Sequence, residues 1–159
     1  MRNFFFPAME SERVFDPATP YVFLGGTING SNWRQRLIEK LKVNYFDPVV
    51  SDWNPDHRRT EEMAKSAAAL LVYAITPKQT GFYTIAEMTH AVFGDLRRVA
   101  ILILDEDDGV LYEEHQQASI SAIKELLHQR IDLNLFDNVD ELAHHLNKQL
   151  EPPEPNHGD

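Results

Sequence analysis

The chain has 159 residues, 43% of them hydrophobic and 25% charged, with 25 acids against 15 lysines and arginines and no cysteine. That length can bury one core without disulfide or metal staples, and the lack of thiols excludes disulfide scaffolds, thiolate metal sites and cysteine nucleophiles together. A formal charge of −10 runs against a surface for nucleic-acid polymers, and the longest apolar run, residues 67–75, is far short of the roughly 20 residues of a membrane helix.

Residues 1–19, with Pro7, Pro17 and several charges, read as an irregular arm. Its Phe4, Phe5, Phe6 and Phe15 are expected to pack onto the domain or a partner subunit, and the Phe run is too short for a signal-peptide core. Residues 21–24 (YVFL) form an apolar run ending in Gly25-Gly26, a buried strand and its turn. Trp33, Leu37, Ile38 and Leu41 recur at helical spacing, which predicts a helix over 32–41. A second strand over 43–46 stops at Asp47-Pro48, and a helix over 60–69 runs into a strand over 70–75 that stops before Pro77. Residues 83–93 are helical, 99–104 (VAILIL) are the most strand-like stretch, and 113–129 form a long amphipathic helix. A strand over 133–136 and a helix over 139–150 follow, with Asp137-Asn138 offering capping side chains. The tail, 151–159, holds three prolines, three acids and no lysine or arginine, and is expected to be disordered.

Strand–helix alternation repeated five times, with strands apolar on both faces, predicts an α/β three-layer sandwich with a five-stranded parallel sheet, in one domain over 20–150. In such sheets ligands bind beyond the carboxyl ends of the strands, where the strand order reverses. Those ends are residues 25–32, 47–57, 76–87 and 105–112.

Gly25-Gly26-Thr27-Ile28-Asn29-Gly30 opens a helix, and its glycines let backbone amides approach a ligand. The spacing is neither the dinucleotide fingerprint nor a Walker loop, which disfavours NAD and ATP as cofactors; the alternative is an ordinary strand-to-helix turn. Asp52, Trp53 and Asn54 place an acid, an indole and an amide in one loop. They suit a planar base and its sugar, or equally an Asx-Pro turn that caps the next helix. Tyr83 and Glu87 are one helical turn apart and share a side of their helix. Near the helix start a carboxylate is favoured in its ionised form, as a nucleophile must be, although glutamates are common there for dipole reasons alone. The acids at 105–108 lack the spaced EF-hand pattern and read as a solvated loop rather than a metal site. No metal-binding histidine pair or serine-hydrolase elbow is present.

The segments Val22-Phe23-Leu24-Gly25-Gly26-Thr27 with Trp33, Tyr45-Phe46-Asp47-Pro48 with Asp52-Trp53, and Thr80-Gly81-Phe82-Tyr83-Thr84-Ile85-Ala86-Glu87 together resemble the nucleoside 2-deoxyribosyltransferase-like family. The likeness runs from about Tyr21 to Leu104 and is most specific over 81–87. It implies a flavodoxin-like (Rossmann-like) sheet and a helix-borne glutamate, here Glu87, that attacks the anomeric carbon of a deoxyribosyl group. The better-studied transferases carry an aspartate six residues before that glutamate; Gly81 stands there in this chain.

On this reading Asp52 or Asp47 protonates the departing base and Tyr83 orients Glu87. Gly25, Gly26, Thr27, Asn29, Trp33, Asp47, Trp53, Asn54, Gly81 and Phe82 line the substrate. The expected ligands are a nucleoside or nucleotide and a free nucleobase. Neither a cofactor, a metal, a nucleic-acid polymer nor a membrane is expected. A cytoplasmic homo-oligomer is expected. Hydrolysis of the same bond, or nucleotide sensing without catalysis, are the alternatives.

Overall fold

A computed structural model describes residues 5–7, 19–50, 54–94, 99–130 and 133–150. Its elements are β1 (Phe5–Pro7), β2 (Tyr21–Gly26), α1 (Trp33–Ile38), β3 (Asn44–Asp47), α2 (Pro55–Ala67), β4 (Leu70–Ile75) and α3 (Tyr83–Gly94). They continue with β5 (Val99–Ile103), β6 (Glu106–Asp107), β7 (Val110–Leu111), α4 (Glu114–Leu127), β8 (Asn134–Phe136) and α5 (Val139–Leu150).

The main sheet has the order β1-β3-β2-β4-β5-β8, and all its pairings are parallel. The five strands expected from the sequence are its body, and their order is the flavodoxin-like one. The sheet has a sixth strand as well: Phe5–Pro7, within the stretch that reads as an irregular arm, pairs with Tyr45–Asp47 at the edge. Three residues, the last of them a proline, leave too short a pattern to register as a strand.

Each face of the sheet buries its own core, because successive strand residues point to opposite sides. On one face Tyr21, Phe23, Tyr73, Ile101 and Ile103 pack against Ala64 of α2, Met88 and Ala91 of α3 and Ile120 of α4. On the other face Val22, Leu24, Val72 and Leu102 pack against Trp33 and Leu37 of α1 and Leu142 and Leu146 of α5. All six residues of β4 are buried, as a central parallel strand covered on both faces requires.

The helices begin and end largely where local chemistry dictates. Helix α2 starts several residues before its apolar pattern does, because Asn54 caps it: its side-chain oxygen accepts from the amides of Asp56 (3.0 Å) and His57 (3.1 Å), with Pro55 in the first turn.

The acidic stretch at 105–108 corrects the reading of a solvated loop. Glu106–Asp107 and Val110–Leu111 form an antiparallel hairpin. Its two turn residues, Asp108 (φ 52°) and Gly109 (φ 79°), both have the positive φ of a type I′ turn. Asp107 is fully buried.

Candidate functional site

The chain order reverses at β2, which has β3 on one side and β4 on the other. The loops after β2 and β4 therefore flank the crevice where ligands bind in open parallel sheets. Much of what is unusual in this protein gathers around it.

The β2 loop is built around a close backbone approach. Gly26 has φ +133°, and a Cβ there would lie 2.3 Å from the carbonyl oxygen of Ala74 on β4, so only glycine fits. The Thr27 amide then donates to that same carbonyl (2.9 Å). The Thr27 hydroxyl donates to Gln79 (2.6 Å) and accepts from the Thr76 amide (3.1 Å), which joins the two loops. Thr27 is fully buried, so it holds the loop from beneath.

Trp33 and Arg34 complete this support. The Trp33 indole is fully buried and donates to the Thr27 carbonyl (2.8 Å). Arg34 donates to the carbonyls of Leu24 (3.0 Å), Gly26 (3.0 Å) and Thr27 (2.7 Å), and its guanidinium lies 4.5 Å from the Trp33 ring centre. Burial pushes the Arg34 pKa down to about 10, with Asp47 and Glu61 pulling it up. Asp47 is its ion-pair partner at 3.4 Å. Burial raises the Asp47 carboxyl above its usual range, against the opposing effects of Arg34 and the Val49 amide.

At the far side of the loop, Asn29 donates to Thr80 and to the Lys78 carbonyl (3.1 Å). Lys78 in turn bonds the Gly30 carbonyl (3.2 Å) and Asp108 (2.7 Å). Ser31 donates to the buried Asp107, Asn32 to Asp108 (2.8 Å), and Arg36 stands 3.5 Å from Asp107. The hairpin is thus a strut that fixes the end of the β2 loop. The sequence reading missed this role of Asp107, and the signal available was the Asp-Gly turn dipeptide between two short pairs of residues.

Glu87 sits in the second turn of α3 on the wall of a cavity of about 350 Å³ between α2 and α3. Lys65 and Glu62 of α2, Tyr83 and His90 of α3, and Tyr73 of β4 share that wall. Lys65 is the second residue that the sequence reading missed. It is buried, and it donates to Glu87 and to Glu62 (2.8 Å) with Glu61 at 3.8 Å. Burial works against the Lys65 charge, but the hydrogen bonds to Glu62 and Glu87 and the charges of Glu87 and Glu61 outweigh it and raise its pKa. A lysine beside Ala64 and Ala68 on the packing face, with acids three and four residues before it, is the trace this leaves in the sequence.

The remaining expected site residues divide clearly. Tyr83 lines the cavity with Glu87, and among the described residues its hydroxyl makes no hydrogen bond to that carboxylate. Gly25 is buried against the rings of Tyr73 and Phe23. Gly81 is exposed, and Phe82, at 89%, is the most exposed large apolar side chain among the described residues. The Asn54 side-chain oxygen is engaged in capping α2. Asp52 and Trp53 lie outside the described residues. Among the described residues no helix is long and apolar enough to cross a membrane, and no group of three or more acids and histidines is placed to hold a metal ion.

Comparison with protein families finds one described as nucleoside 2-deoxyribosyltransferase like, whose model matches residues 19–106, more than half of the chain. No curated protein matches the chain.

Proposed function

The chain belongs to the nucleoside 2-deoxyribosyltransferase-like family, and on that footing we propose that it cleaves the N-glycosidic bond of a deoxynucleoside and passes the sugar to an acceptor base. Glu87 is the nucleophile. The observation that carries this reading is a carboxylate near the start of the helix after β4, ion-paired with Lys65 and set on a cavity wall beside the switch point.

In the first half-reaction a Glu87 oxygen bonds the anomeric carbon while the C1′–N bond breaks, and its electron pair leaves with the base. An acid supplies the proton the base needs. Asp47, whose carboxyl is raised by burial, and Asp52 are the candidates. In the second half-reaction the nitrogen of another base attacks C1′ and frees Glu87.

The β2 loop, with Gly25, Gly26 and Asn29 in a fixed frame, receives the sugar, while the exposed ring of Phe82 and the cavity-lining Tyr83 offer faces for a planar base. Lys78, beside Gly30, is already neutralised by Asp108, which favours an uncharged nucleoside over a 5′-phosphorylated one. A homo-oligomer belongs to the same proposal, supported by exposed Phe82, Tyr83 and Ile28 around the crevice.

The test is incubation with a panel of deoxynucleosides and deoxynucleotides, with and without a free acceptor base, followed by chromatography. Base exchange without appreciable free sugar is the expected result. Free sugar in the absence of acceptor selects the hydrolase, and binding without either product selects a sensing module.

A further inference from the structure

Glu87 bears one negative charge, yet the cation beside it has more than one carboxylate to serve. Lys65 reaches Glu87 and Glu62 by hydrogen bonds and lies 3.8 Å from Glu61. The hydrogen bond to Glu87 goes to Oε1, so among the described residues Oε2 is the oxygen left for attack. Glu61 and Glu62, from the preceding turn of α2, are the further partners of the ammonium.

This arrangement has a consequence for a two-step glycosyl transfer. When Oε2 bonds C1′ and the C1′–N electron pair leaves with the base, Glu87 becomes a neutral ester. Lys65 then keeps Glu62 and Glu61 as partners, so it can hold both its proton and its place. When the acceptor attacks C1′, the C1′–Oε2 electron pair returns to Glu87, and the charge reappears beside a cation already in position. A fixed cation at the site of returning charge stabilises that step without reorganisation.

We propose that Lys65 is a positioning residue for Glu87: it orients Oε2 toward the sugar and favours release of the glycosyl group in the second half-reaction. The proposal rests on the reading of Glu87 as nucleophile. Glu61 and Glu62 are the counter-charges that keep Lys65 in place while Glu87 is esterified.

The experiment compares wild type with Lys65→Met and Lys65→Arg in base exchange, with intact-mass spectrometry of quenched reactions. For Lys65→Met, kcat falls about 100-fold, the scale of one lost electrostatic contact to developing charge. Its apparent KM falls as well, and the glycosyl-enzyme ester accumulates. Lys65→Arg, which keeps the charge, recovers at least about tenfold of that loss. A purely structural lysine gives neither ester accumulation nor rescue by arginine. Lys65→Met with kcat within about threefold of wild type, or with no accumulated ester, overturns the proposal.

A second readout needs no turnover. In reductive methylation of the wild type, Lys65 stays unmodified while exposed lysines react, and Glu87→Gln makes it more reactive. Methylation of wild-type Lys65 at the rate of exposed lysines overturns the pair itself. A wild type that exchanges no base but protects Lys65 contradicts the reading of Glu87 instead.

Discussion

The Lys65 ammonium and the Glu87 carboxylate, 22 residues apart in the chain, meet between α2 and α3, and the pair is unequal. Lys65 has Glu62 and Glu61 in addition, whereas Glu87 has Lys65 as its cation among the described residues. Loss of Glu87 therefore leaves no uncompensated buried charge. Glu87→Gln is expected to abolish base exchange while changing the unfolding free energy by less than about 1 kcal/mol, measured by denaturant titration. A large loss of stability would mean that Glu87 is chiefly a structural partner.

Gly26 and Gly30 both have positive φ, but only Gly26 is enclosed. At Gly26 a methyl group would strike the Ala74 carbonyl, whereas at Gly30 it would meet open space. Gly26→Ala is expected to cost about 3 kcal/mol or to prevent folding, and Gly30→Ala about 1 kcal/mol. Thermal unfolding of the two variants gives the comparison.

Asp47 makes a prediction about pH. Burial raises its carboxyl in the folded chain, so the folded state binds this proton more tightly than the unfolded state. The stability from that proton is complete below the usual value of 3.8 and is lost as pH rises through the higher folded value. Asp47→Asn removes the titration. Its stability relative to wild type is therefore expected to rise with pH across that window, as read from unfolding curves between about pH 3 and about pH 7.

The β6–β7 hairpin depends on one buried carboxylate. Asp107 accepts from Ser31 and faces Arg36 from a fully buried position. Asp107→Ala leaves Ser31 without its acceptor and Arg36 without its counter-charge, which is expected to cost about 2 kcal/mol. Because the hairpin braces the β2 loop rather than the cavity wall, the variant should raise the KM for nucleoside more than it lowers kcat.

The sequence carried the five central strands, the Gly25-Gly26 turn and the place of Glu87 legibly, because each depends on local pattern: buried apolar runs, glycines and helix offset. The contacts that span the chain were not legible. Lys65 stands beside Ala64 and Ala68 on the packing face of α2, but only the fold brings Glu87, 22 residues on, to it. Asp107 reads as part of an acidic run, although the Asp108-Gly109 turn that folds it inward was visible. Trp33 shows the reverse case: a residue expected at the substrate instead lies wholly under the loop, where its indole holds the Thr27 carbonyl. Periodicity reports which residues are buried, but not which polar groups meet across the sheet.

The proposed reaction requires a covalent ester between Glu87 and the sugar. Its most direct test is rapid quenching of wild-type protein with a deoxynucleoside in the absence of acceptor base, followed by peptide mass spectrometry. One deoxyribosyl group is expected on the α3 peptide, carried by Glu87 and absent from Glu87→Gln. An unmodified α3 peptide, from wild-type protein that exchanges base when acceptor is added, is the opposite result and rules out a Glu87 ester.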